Sequence, residues 1–139
     1  MRKGNSARRG FSLIEVIVVL TVLAILTAIA VPSYQSSLRK ARRAEGRAFL
    51  HILMMAEERY HGSFNRYAAD AGPGGLAQPS LSPPHGYYAV SRVELGAGGQ
   101  FVRIIVSPRG VQAGDFCGDL ILDSTGLFQT TGGSVEECG

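Results

Sequence analysis

A chain of 139 residues that is 45% hydrophobic and only 18% charged makes one domain, or one domain with an appendage. Its formal net charge of +3 is misleading, because Arg2, Lys3, Arg8 and Arg9 all lie in the first ten residues. The ten cations that remain face eleven carboxylates, and beyond Tyr60 four arginines face seven carboxylates. This excludes a head that grips nucleic acid by sheer positive charge, since that affinity comes largely from neutralising phosphates with Lys and Arg.

Residues 1–10 form a short basic leader, followed by an apolar run from Phe11 to Val31 with a single charge, Glu15. As a helix, a run of that length spans the ~30 Å hydrocarbon core of a bilayer. It exceeds the ~7–15 residues of a secretory h-region, so a permanent span is expected over residues 11–34. Cleavage after Ala30, where Ala28 and Ala30 have small-x-small spacing, is the competing reading. Ser12 and Glu15 have the spacing of a capping box, but glutamine would serve that purpose equally. A carboxylate costs roughly 2.5–3.5 kcal/mol at the centre of a membrane helix and less near its end. A cut between Gly10 and Phe11 would place a new amino terminus one helical turn from Glu15. At ~4 Å such a pair is worth about 4 kcal/mol before desolvation.

The stretch "RRGFSLIEVIVVLTVLAILTAIAVPSYQ" resembles the leader and first helix of type IV prepilins, which carry the class III prepilin signal. The basic leader ends in Gly10, then come Phe11, a hydroxyl residue, two aliphatics and Glu15, with Pro32 and Tyr34 closing the span. The resemblance implies cleavage after Gly10 by a prepilin peptidase and N-methylation of Phe11. It also implies that Glu15 meets the amino terminus of a neighbouring subunit during assembly. Other pilin subunits, the prepilin peptidase, the inner-membrane assembly machinery and membrane lipid are the implied partners. The precursor would cross the bacterial inner membrane once, with a cytoplasmic leader and a periplasmic head, and then enter a pilus.

Residues 35–61 continue as an amphipathic helix. Leu38, Ala41, Ala48, Phe49, Ile52, Leu53, Ala56 and Tyr60 recur at steps of three and four. Arg39, Lys40, Arg42, Arg43, Arg47 and Arg59 lie largely off that stripe and read as a solvated face. Pro32 breaks or kinks the helix, Gly46 weakens it and Gly62 stops it. Residues 62–86, rich in Gly and Pro, read as a connecting loop.

Residues 87–139 read as strands. "YYAVSRVEL" and "QFVRIIVS" flank "GAGG", while "CGDLILD" and "LFQT" flank "STG", giving two hairpins. The expected class is α+β, a type IV pilin fold with a long helix on about four antiparallel strands. In an exported head Cys117 and Cys138, the only cysteines, are expected to form a disulfide closing the tail. "CGDLILDSTG" followed by a near-terminal cysteine also resembles the last strands of PilE-type minor pilins.

No P-loop, no G-x-S-x-G and no G-x-G-x-x-G is present. No enzyme, no cofactor and no metal site is expected. Asp115, Asp119 and Asp123 lack EF-hand spacing, and loop or strand-edge carboxylates explain them better than the calcium site of some type II secretion pseudopilins. Glu57 and His61 are spaced like a helical metal pair, but two ligands fall short of a site. The expected function is a structural subunit of a type IV pilus, a minor pilin serving assembly, twitching motility or adhesion. The alternatives are a DNA-uptake receptor pilin of a competence pilus, with DNA as partner, and a pseudopilin of type II secretion.

Overall fold

The computed structural model describes residues 12–139. Its chain divides into two compact units, Met1–Ser37 and Leu38–Gly139. Helix α1, Leu13–Phe64, contributes to both.

In the first unit no described residue covers the apolar side chains of α1. Leu13 is 80% exposed and Ile29 68% exposed, and Val16, Leu20, Leu23 and Leu26 are also exposed. The carbonyl of Ser12 accepts the N–H groups of Glu15 and Val16. Three hydroxyls turn inward on the backbone: Thr21 donates to the Ile17 carbonyl, Thr27 to Leu23 and Ser37 to Ser33. Hydroxyls satisfied in this way suit a helix with no water beside it. Pro32 neither breaks nor ends the helix, which runs on through it.

In the second unit α1 packs on one four-stranded antiparallel sheet: β1 Tyr88–Leu95, β2 Val102–Pro108, β3 Leu120–Asp123 and β4 Phe128–Thr130, in that spatial order. These are the two expected hairpins. A bulge at Ser91 shifts the β1–β2 register between Val90 and Arg92. A four-residue helix, α2 Val135–Cys138, ends the fold, capped reciprocally by Ser134 and Glu137. Residues 65–87 carry no helix or strand, against the 62–86 expected of the connecting loop.

The core joins Phe49, Leu50 and Leu53 of α1 to Tyr88, Val102, Ile104, Val106, Leu120 and Leu122 of the sheet, with Tyr67 from the loop. Besides the passage through Pro32, two features of α1 differ from expectation. It ends at Phe64 rather than Gly62, because Asn65 takes a left-handed conformation, φ 54°, and donates its N–H to the His61 carbonyl. The buried stripe is also rotated. Arg43, Gly46, Phe49, Leu50, Leu53, Ala56 and Glu57 are buried, whereas Ile52 is 51% exposed. The cause lies on the sheet side, where a carboxylate draws Arg43 inward and a close approach demands Gly46. A Cβ on Gly46 would stand 2.8 Å from Tyr88 Cδ2 and 3.0 Å from Leu120 Cδ1. The glycine that weakens the helix is the one that lets helix and sheet meet.

Candidate functional site

Gly10 and Phe11, the expected processing site, lie outside the described residues. Glu15 sits in the first turn of α1 and is the one charged side chain between Leu13 and Val31. It is exposed, flanked by exposed Ile14 and Val16. A carboxylate covered together with such a stripe costs free energy unless it meets a partner, water or a proton.

The other expected site is present. Cys117 and Cys138 form a disulfide and both are buried. It closes around a cluster of polar groups that pattern reading on the sequence did not assemble. Arg43 is 4% exposed, so the basic run is not wholly a solvated face. Its Nη1 contacts Cys117 Sγ and lies 3.7 Å from Asp115 Oδ1. The Arg43 guanidinium sits 5.2 Å from the Phe116 ring centroid. The Tyr88 hydroxyl donates to Asp115 at 3.5 Å, and Gln112 Nε2 donates to that hydroxyl at 3.5 Å. Burial pushes the Tyr88 phenol up to about 12. Arg43, Gly46, Leu50, Leu53 and Glu57 follow one another at steps of three and four, but that spacing competes with the stripe through Ile52 and does not by itself single out Arg43.

Asp123 and Glu57 lie apart from this cluster, each with its own partners. Burial would push Asp123 up, but the Thr125 hydroxyl, the N–H groups of Thr125 and Leu127 and nearby Arg103 outweigh it, so its pKa falls below the ordinary value. That is an Asx turn, which tightens the β3–β4 hairpin. Glu57 is fully buried and accepts the Ala68 N–H at 2.9 Å, while its Oε1 has no partner among the described residues. Burial raises its pKa, against the Ala68 bond, and the neighbouring Glu58 adds to the rise. His61 is bound instead to Gln100, at 3.2 Å, so Glu57 and His61 serve different partners. Among the described residues no three metal-ligating side chains converge.

The cations of the head are dispersed. Arg92 and Arg103 both turn to Glu94, at 3.2 and 3.7 Å; the register sets Arg103 opposite Glu94 and Arg92 opposite Ile105. Arg42 lies over Tyr87 and Arg47 over Phe128. Arg39, Lys40, Arg59, Arg66 and Arg109 are exposed. Arg66 lines a cleft of about 290 Å³ with Tyr60, Tyr67 and the Gly98–Gly99 turn.

Residues 32–121 match the family described as type IV minor pilin ComP, DNA uptake sequence receptor, and residues 5–31 match the prokaryotic N-terminal methylation motif. The type IV major pilin protein PilA of Myxococcus xanthus is 32% identical over 99 residues, 71% of this chain and 43% of that protein. The major pilin PilE1 of Neisseria gonorrhoeae is 27% identical over 92 residues, covering 66% of this chain and 51% of that protein. The matched stretches thus span about half the length of these relatives, or less. The solved structure of a type IV pilin from Shewanella oneidensis superposes with a TM-score of 0.50 at 24% identity, over 65% of this chain and 89% of that one, which is a likeness of fold.

Proposed function

This chain belongs to the type IV minor pilin family, and from that premise we propose that it is a structural subunit of a type IV pilus, held in the membrane and then in the filament by the first half of α1. The observation that carries this reading is the exposed apolar helix with Glu15 as its one charge. Such a surface is stable only in lipid or against similar helices. In the proposed sequence of events a prepilin peptidase cuts between Gly10 and Phe11, and Phe11 is N-methylated. The carboxylate of Glu15 then pairs with the amino terminus of an adjacent subunit, which fixes the axial register of assembly. Residues 38–139 form the head, periplasmic before assembly and outward-facing in the pilus. The protein performs no reaction of its own.

Intact-mass spectrometry of the protein from sheared filaments tests this. A chain beginning at methylated Phe11 with bridged cysteines is the expected species. A chain retaining residues 1–10, or one beginning at Val31, overturns the reading.

DNA capture is a second reading, favoured by the description of the matching family. The head offers it dispersed exposed cations, Arg39, Lys40, Arg59, Arg66 and Arg109, together with Arg92, which is exposed but paired with Glu94. That supports loose contact with a phosphate backbone rather than a dense basic stripe.

A further inference from the structure

A buried cation, Arg43, packs against the disulfide. Arg43 Nη1 touches Cys117 Sγ but stands 3.9 Å from Cys138 Sγ. The two sulfurs therefore have different electrostatic surroundings. Their elements differ too. Cys117 is fully buried and precedes β3, and its carbonyl accepts the Gly132 N–H. Cys138 ends α2, and Gly133 to Glu137 before it are all exposed.

We propose that Arg43 sets the order of the two exchange steps that close the tail: Cys138 takes the oxidant first, and Cys117, held as a thiolate against the guanidinium, completes the bridge. In the reduced chain the tail carrying Cys138 is the part free to leave the head and meet an oxidant, here any protein or small-molecule disulfide. The Cys138 thiolate attacks one sulfur of that disulfide, giving a mixed disulfide and releasing one oxidant thiolate. The tail then returns to its seat. The Cys117 thiolate attacks Cys138 Sγ, the Cys117–Cys138 bond forms, and the second oxidant thiolate departs. Two electrons pass to the oxidant, and the two cysteine protons are left to solvent or to the departing thiolates.

A cation in contact favours the thiolate, which is the nucleophile in such exchange. The other charged or titratable groups facing the site are Asp115, beside Arg43, and the Tyr88 hydroxyl bonded to it. Asp115 opposes the effect, but the guanidinium is what touches the sulfur. On α2 Glu136 and Glu137 are exposed, and Glu137 is tied to Ser134; on α1 Arg47 lies over Phe128. Arg43 is thus a positioning residue that acts through Cys117.

The test uses the full chain in detergent, as Cys138→Ser and Cys117→Ser variants. Thiolate ultraviolet absorbance is followed against pH, and the double-serine chain serves as the tyrosine reference. Cys117 in Cys138→Ser is expected to ionise at least about one pH unit below Cys138 in Cys117→Ser. With oxidised glutathione as the probe, Cys117→Ser is expected to trap glutathione at Cys138 at least about tenfold faster than Cys138→Ser traps it at Cys117. In Arg43→Met/Asp115→Asn, which removes both buried charges together, the gap in ionisation should close. Should that variant fail to fold, Cys138→Ser in urea replaces it, and Cys117 should there return to the ionisation of an ordinary thiol. Cys117 titrating at or above Cys138, first capture of glutathione at Cys117, or a low Cys117 midpoint that persists in urea or without Arg43 overturns the proposal.

Discussion

Three residues carry charge or shape where a simpler side chain would satisfy the pattern, and each makes a measurable difference. Glu57 is buried with a raised pKa. The folded state therefore holds its proton more tightly than the unfolded chain does. The stability this gives is complete below the ordinary value of 4.5 and is lost as pH rises through the raised one. Glu57→Gln keeps an acceptor for the Ala68 N–H and removes the titration. Its unfolding free energy from denaturant titration should exceed the parent's at pH 8 by about 1 kcal/mol, and the gain should vanish below the ordinary carboxylate range. Equal gains at both ends would show that Glu57 is not the titrating group. Gly46→Ala should gain helix propensity but lose more through the contact with Tyr88 and Leu120, a net cost of about 1–3 kcal/mol by chemical denaturation. Glu15→Gln keeps the capping acceptor and drops the charge. The variant protein should remain processed and membrane-resident yet be recovered poorly in sheared filaments; normal recovery would leave capping as the role of this side chain.

Among the elements, α1 is a helix with two solvents. Its first half turns the Thr21 and Thr27 hydroxyls onto its own backbone and exposes its apolar side chains. Its second half buries one stripe against a sheet too small to stand alone. The tail contributes the least apolar surface and is fixed by Cys117–Cys138, 21 residues apart. Replacing both cysteines by alanine should cost about 3 kcal/mol on the chain-entropy account. Amide exchange should then rise first in residues 131–139, while β1 and β2, which share the longest register, stay protected. Loss of protection beginning in β1 would mean that the bridge holds the whole sheet rather than the tail.

For the whole molecule, the distribution of charge matters more than its total. The sequence pI is near 9.1, yet Arg43 is buried on Asp115, and Arg92 and Arg103 are drawn to Glu94. The full chain in detergent should therefore bind duplex DNA weakly, at about micromolar or above, without sequence preference and with a shallow salt dependence. Gel-shift titration at two salt concentrations checks this. Sub-micromolar, sequence-selective binding that survives neutralisation of Arg39, Lys40 and Arg59 would make DNA capture the primary function.

The apolar helix, the position of Glu15, the four strands and the pairing of the two cysteines were legible in the sequence, because each rests on local pattern: an apolar run, alternation between glycine turns, and only one pairing for two thiols. The rotation of the α1 stripe was not, nor was the burial of Arg43 and Glu57. Helical spacing alone fits more than one face, and the choice between them was made by residues far away in the chain. Asp115 gives Arg43 a counter-charge from 72 residues on, the Ala68 N–H gives Glu57 a donor, and Tyr88 and Leu120 leave room at Gly46 for nothing larger than hydrogen. A charged side chain is buried only where a partner meets it, and the partner's location is a property of the tertiary fold.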